Sequence, residues 1–165
     1  MSHSTNLPKS LFMVALLALF TLAGCGNSSE PTGVAAENLA KGIAFLKENG
    51  KREGVVTMVN GIQYEIITKG DGKNPKITDF AVVHQRGKHL DGTTFSDSYE
   101  NGEPEVVLVK HTIPGWKKTL PMMTVGSKWI IYLPPHMAYS NRGEQGIIEP
   151  NETVIYEIEL VDIKW

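Results

Sequence analysis

The sequence predicts an α+β domain: an antiparallel β-sheet that covers its apolar face with one short α-helix, preceded by a short N-terminal helix. Three observations carry that expectation. From Ile62 to the C-terminus, most apolar residues alternate with polar ones at the period of a half-buried strand. One segment, Gly115 to Gly126, breaks the alternation with apolar residues at helical spacing. Ahead of any strand, Leu39, Ile43 and Leu46 recur at helical spacing too. With 165 residues, 41% of them apolar, the chain suits one globular domain and an additional N-terminal segment.

That N-terminal segment begins with Lys9 and the apolar run "LFMVALLALFTLAGC". The run is short for a membrane-spanning helix and has the length of a signal-peptide h-region. Its end, Leu22 to Cys25, resembles the lipobox of bacterial lipoproteins; the competing reading is a secretory signal that ends in an incidental cysteine. The resemblance implies that residues 1–24 are a lipoprotein signal peptide and that Cys25 carries the lipid. It also implies membrane anchorage facing the periplasm. Gly26 stands where an aspartate would favour inner-membrane retention, which favours the outer membrane. Cys25 is the only cysteine, so no intramolecular disulfide can form. Residues 25–35, small and polar, read as a flexible tether.

Residues 36–50 predict an amphipathic helix, with Lys and Glu opposite the Leu39–Ile43–Leu46 stripe and Gly50 as its cap. The strands follow in residues 51–165. "IQYEIIT" leads into the turn-rich "KGDGKNP"; "FAVVHQRG" alternates; "HLDG" turns the chain back; "EVVLV" is a β-branched run. "GWKKTLPMMTVG" places Trp116, Leu120 and Met123 on one helical face, and Pro121 shortens or distorts that helix. "SKWIIYLP" sets Trp129, Ile131 and Leu133 against Lys128, Ile130 and Tyr132. In "TVIYEIELVDIKW", Val154, Tyr156, Ile158 and Leu160 share a face. Val161 and Ile163 break its phase, which predicts a bulge or a strand end.

The formal charge of −2 gives no electrostatic reason to expect a nucleic-acid partner. The phosphate loop, the nucleophile elbow and the H-E-x-x-H metal motif are all missing. His84 and His89 lack the further ligands of a zinc site, so no metal is expected. Asp91, Asp97 and Glu100 read as turn formers and loop charges in preference to a hydrolytic pair. What stands out is apolar: Phe95, Trp116, Tyr139 and Tyr156, accompanied by Ile113, Ile147 and Ile148. By themselves these residues describe a core.

Their order adds to that. "VVHQRGKHLDGTTF", "TIPGWKKTLPMMTVGSKWIIYLPPHMAY" and "GIIEPNETVIYEIEL" together resemble the FK506-binding-protein (FKBP) family of peptidyl-prolyl cis-trans isomerases, from about Gly61 to Ile163. "GIAFLKENG" and "GSKWIIYLPP" resemble the subgroup of macrophage infectivity potentiators. The resemblance implies a twisted sheet wrapped around the short helix. It implies an isomerase that needs no cofactor and acts on proline-containing unfolded or exported polypeptides, with FK506- or rapamycin-like ligands. As catalytic residues it implies Trp116 as a floor under the proline ring, Phe95, Ile113 and Tyr156 as walls, and Tyr139 with its hydroxyl towards a substrate carbonyl. Val107, Thr112, Ile147 and Ile148 would contact the peptide, as would Gln85, Ser96 and Asp97 on one side. Gln85 and Ser96 stand where the family usually has a tyrosine and an aspartate, and Val107 where it has a further aromatic. Asp97, one place beyond the family's acid, either reaches the cleft through a bulge or caps a turn. Relatives in the subgroup carry a long dimerising helical region; one short helix here implies a monomer. The departures at Gln85 and Ser96 also leave a second reading, a chaperone or binding module on the same fold.

Overall fold

The computed structural model describes Met1 and residues 32–165. The expected signal peptide, Cys25 and most of the tether lie outside the described residues. No helix among the described residues is long and apolar enough to cross a membrane.

Seven strands form one antiparallel sheet: β1 (Val55–Thr57), β2 (Gln63–Thr68), β3 (Phe80–Lys88), β4 (Thr94–Asp97), β5 (Glu105–Leu108), β6 (Lys128–Leu133) and β7 (Val154–Lys164). Their order is β1-β2-β6-β7-β3-β4. The long strand β3 has β7 along one edge, and β4 and β5 share the other: β5 pairs with Phe80–Val83, β4 with Arg86–Lys88. The predicted bulge in β7 is present. Val82 faces Asp162 and Val83 faces Leu160, leaving Val161 without a partner, and this restores the phase that places Ile163 inward.

The helix over the sheet, α2 (Pro114–Thr119), starts with proline at its first position, where no N–H is needed. Pro121 ends the α-helical bonding, and the chain continues as a 3-10 turn over Leu120–Met122. Trp116, Leu120 and Met123 are all buried, as their spacing predicts, against Ile131, Leu133 and Ile158 of the sheet.

The N-terminal helix α1 (Val34–Asn49) forms where expected but does not bury the expected stripe. Ile43 is 61% exposed, whereas Gly42 and Asn49 are buried. A Cβ at Gly42 would collide with Thr153 Oγ1, so the missing side chain is what lets the helix approach the sheet's end. Polar groups then fix it: Asn49 Nδ2 donates to Gln63 Oε1 (2.9 Å), and Gln63 Nε2 donates to the Leu46 carbonyl (2.7 Å). Phe45 packs on Tyr132 with ring centroids 5.8 Å apart. This contact explains why Tyr132, which alternation places opposite the core, is nevertheless buried. Gly50 follows the helix but is right-handed (φ −65°, ψ −10°), so backbone freedom is not its role. A Cβ there would lie 2.8 Å from Gln63 Nε2.

Candidate functional site

The turn after β3 begins the site. Gly92 adopts φ 90°, the Gly92 N–H donates to the His89 carbonyl (3.0 Å), and Asp91 Oδ1 accepts from the Thr93 N–H (2.9 Å) and hydroxyl (2.6 Å). The Thr93 hydroxyl bond is the main reason that the Asp91 carboxyl is held below its usual range. β4 then returns along β3 with a bulge: Ser96 pairs with Gly87, Thr94 pairs with Lys88, and Phe95 between them has no partner. The extra residue turns Phe95 over Gly87, where a Cβ would collide with its ring and lie 2.9 Å from Tyr156 Cε1.

The result is a set of edge-on aromatic rings. Phe95 meets Tyr156 at 5.6 Å and 88°, and Trp116 meets Tyr156 at 5.2 Å and 84°. Such perpendicular pairs favour the rings' charge distributions as well as their burial. Trp116 comes from α2 and is 6% exposed; Tyr156 comes from β7 and is 4% exposed. Tyr139, on the loop after β6, shares a 2.8 Å hydrogen bond with the Tyr156 hydroxyl. Burial raises both phenols above their usual range, Tyr156 very strongly, so the pair keeps both protons and has one O–H beyond the bond they share.

These residues line a cleft of about 340 Å³ with Gln85, Ser96, Glu105, Thr112, Ile113, Glu144, Ile147 and Ile148. The loop that carries the last three is closed by a bridge between Glu144 and Ile148: the Glu144 N–H donates to the Ile148 carbonyl (2.7 Å) and the Ile148 N–H to the Glu144 carbonyl (2.8 Å). Beyond that loop a wider groove of about 810 Å³ runs towards α1, lined by both signs of charge. The smaller cleft is the one walled by the edge-on aromatic rings, the character of a small-ligand site. Two of its lining residues carry a fully buried polar atom with no partner among the described residues, Gln85 Oε1 and Trp116 Nε1. The Ile113 N–H, just ahead of α2, is likewise without a hydrogen-bond partner among the described residues. Among the described residues, no group of three His, Cys, Asp or Glu side chains is placed to hold a metal ion.

Ten of the twelve residues expected around the cleft therefore line it; Asp97 and Val107 do not. Val107 packs against the core on β5. Asp97 pairs with Arg86, and the bulge sends it to the opposite face, where Oδ2 accepts from Arg86 Nε at 2.5 Å and Oδ1 from the Tyr99 N–H at 2.9 Å. The Arg86 bond is the main reason its carboxyl is held below the usual range. A regular strand would have kept Asp97 on the side of Phe95; the bulge makes it a turn cap in an ion pair. Sequence reasoning missed Glu105 and Glu144. The period of two that places Val107 on the inner face of β5 places Glu105 there as well.

A seven-stranded antiparallel sheet over a short helix, with a cleft walled by edge-on aromatic rings, is the class of protein that the fold and site define. Residues 71–161 match the family model of FKBP-type peptidyl-prolyl cis-trans isomerases, and residues 27–66 match the model of the domain amino-terminal to such isomerases. The chain belongs to the FKBP-type isomerase family. It is 39% identical over 127 residues to the peptidyl-prolyl cis-trans isomerase Mip of Coxiella burnetii, covering 77% of this chain and 55% of that protein. It is 43% identical over 124 residues to the FKBP-type 22 kDa isomerase of Escherichia coli, covering 75% and 60%. The outer membrane protein MIP of Legionella longbeachae is 40% identical over 137 residues, covering 83% and 59%. The chain thus spans 55–60% of the length of these relatives. Among solved structures, FkpA from Escherichia coli superposes with a TM-score of 0.76 at 38% identity, covering 79% of this chain and 61% of that one. An isomerase from Pseudomonas syringae pv. tomato superposes with 0.75 at 26% identity, covering 82% and 100%.

Proposed function

We propose that this protein is a peptidyl-prolyl cis-trans isomerase that assists exported polypeptides to fold, and that the aromatic cleft is its site. The observation that carries this reading is the convergence of Phe95, Trp116 and Tyr156 as perpendicular walls of one small cleft in a chain of this family. Rotation about an Xaa-Pro bond breaks no covalent bond; its barrier, about 18–20 kcal/mol, is the loss of amide resonance. The twisted amide is less dipolar than the planar one, so it loses less hydration on entering an apolar cleft. Binding is therefore stronger at the transition state than in the ground state, the condition for acceleration. Trp116 supports the proline ring, Phe95, Ile113 and Tyr156 enclose it, Ile147 and Ile148 close over the peptide, and Thr112 borders it. With Tyr156 donating the bond that the two phenols share, the Tyr139 O–H is left to donate a hydrogen bond to a substrate carbonyl. The free Ile113 N–H binds a second carbonyl, or the matching group of an FK506- or rapamycin-like ligand.

The N-terminal sequence supports a lipid anchor at Cys25 on the periplasmic side of a bacterial membrane, with the outer membrane favoured. The monomer expected from the sequence belongs to the same proposal. Exchange spectroscopy of a proline tetrapeptide tests the activity: the full chain in mild detergent shortens cis–trans exchange from its uncatalysed tens of seconds. Unchanged exchange at high protein concentration refutes it. Unchanged exchange together with suppressed aggregation of a proline-free client would instead favour the binding-module reading.

A further inference from the structure

Phe95 is the bulged residue of β4 and has no ladder partner, so the pose of its ring depends on what packs against it. Besides Tyr156, the ring meets the imidazole of His89, edge-on with centroids 5.0 Å apart at 64°. His89 lines the wide groove and not the cleft, whereas Phe95 lines the cleft and not the groove. The imidazole therefore stands between the two. It is itself held. The His89 N–H donates to the Thr93 carbonyl (2.9 Å), which fixes the backbone just after β3. The ring is fixed by Glu152, whose Oε1 lies 2.5 Å from Nδ1. The carboxylate only accepts, so Nδ1 carries the proton and donates. Glu152 Oε2 is occupied as well, accepting the Glu149 N–H at 3.0 Å. Glu149 directly follows Ile147 and Ile148 on the closing loop. The two side chains are 21% and 13% exposed, so water competes little for this charge-assisted bond. Among the described residues, it is the one side-chain hydrogen bond that joins the turn of residues 89–93 to the loop of residues 139–153.

We propose that His89 and Glu152 are positioning residues for the isomerase: a latch that ties the Phe95 ring to the loop carrying Ile147 and Ile148 and so fixes the width of the cleft. Acceleration requires contacts that fit the twisted amide better than the planar one, and such contacts need walls at one separation. With the latch made, Phe95 and the closing loop keep their spacing. With it broken, Phe95 loses its support on the groove side, and the cleft accepts planar and twisted amides alike. The latch thus acts on kcat and leaves KM nearly as it is. It rests on the cleft being the proline site proposed above, but the pose of Phe95 is read without turnover.

The test uses the full chain in mild detergent and a proline tetrapeptide. Exchange spectroscopy gives kcat and KM, and NMR contacts between the Phe95 and Tyr156 rings give the pose. His89→Leu fills the space beside Phe95 but offers Glu152 no donor, and Glu152→Ala leaves the imidazole unanchored. Each is expected to lower kcat about fivefold, the scale of one edge-on aromatic contact, with KM unchanged and the Phe95–Tyr156 contacts weakened. The two residues act as a unit, so the double variant is expected to lose no more than either single one. Glu152→Gln, which keeps an acceptor for Nδ1, is expected to recover most of kcat. Undiminished kcat in His89→Leu, losses that multiply in the double variant, Phe95–Tyr156 contacts that persist in both single variants, or Glu152→Gln no better than Glu152→Ala overturns the latch, even where the urea midpoint falls. A wild-type chain that accelerates no peptide refutes the isomerase instead, and the ring contacts in the variants then decide the latch by themselves.

Discussion

Gly87 shows how one missing side chain shapes the cleft. The bulge at Phe95 turns the ring onto β3, and only a hydrogen at residue 87 leaves room for it against Tyr156. Gly87→Ala is expected to push Phe95 out of its edge-on contact, lowering kcat/KM for a proline tetrapeptide about tenfold while the chain still folds. Exchange spectroscopy reads the rate, and near-ultraviolet dichroism reads the aromatic packing. The two phenols make a second case. Tyr139→Phe leaves the hydroxyl of Tyr156, a residue only 4% exposed, without its partner. Stability should fall by about 1–3 kcal/mol, the cost of a buried group left unpaired. The rate should fall about three- to tenfold if Tyr139 donates to the substrate carbonyl; an unchanged rate would remove Tyr139 from the mechanism. Residue by residue, the sequence made the aromatic walls legible, because their motifs recur in fixed order. Glu105 was passed over because it opens a β-branched run whose other members are aliphatic. The destination of Asp97 was not legible, because one unpaired residue ahead of it reverses its face.

Among the elements, β2, β3, β5, β6, β7 and α2 followed directly from strand patterning and from the helical spacing of Trp116, Leu120 and Met123, with Pro121 acting as expected. The short β1 and β4 carried too few residues to show a period. The register of β4 and the contact face of α1 did not follow. Both depend on what a glycine permits a neighbour to do, and hydrophobic periodicity carries no signal for that. For α1 the conflict can be measured. In an isolated helix, Gly→Ala gains about 1 kcal/mol; at Gly42 the new methyl meets Thr153 Oγ1 on a buried contact. Overpacking costs about 1–3 kcal/mol, so Gly42→Ala is expected to be neutral to destabilising by about 2 kcal/mol in urea unfolding. A gain would show that α1 is not held as the geometry describes. The end of β4 makes a pH-dependent prediction. Arg86 holds the Asp97 carboxyl below the usual value, so the folded state binds that proton less readily than the unfolded chain. The associated stability is fully present above the ordinary carboxylate pKa of about 4 and is lost as pH falls through the lower folded value. Asp97→Asn keeps an acceptor for the Tyr99 N–H and removes the charge, so the fall in urea midpoint below about pH 4 should become shallower. An unaltered acid limb would mean that the ion pair does not matter to stability.

At the scale of the whole molecule, the cleft and α1 occupy residues 32–165, while the sequence that speaks of a membrane precedes them. No described helix is long and apolar enough to span a membrane, and the attachment proposed above is the lipid at Cys25. The physical argument concerns the number of acyl chains. Each buried methylene contributes about 0.8 kcal/mol, yet a single chain gives only marginal, reversible binding; stable anchoring takes a second signal. The formal charge of −2 gives the chain no net attraction to an anionic surface that could act as that signal. A lipoprotein cysteine, carrying several chains on one residue, needs none. Cys25→Ser is therefore expected to move the protein from the membrane pellet to the soluble fraction of cells expressing the full chain, with isomerisation of a proline tetrapeptide preserved in that fraction. The incidental-cysteine reading expects wild type and variant to fractionate alike, both soluble. Membrane retention of the variant would refute the lipid anchor and require another means of attachment. High salt would then distinguish an electrostatic or protein contact, which it releases, from buried hydrocarbon, which it does not.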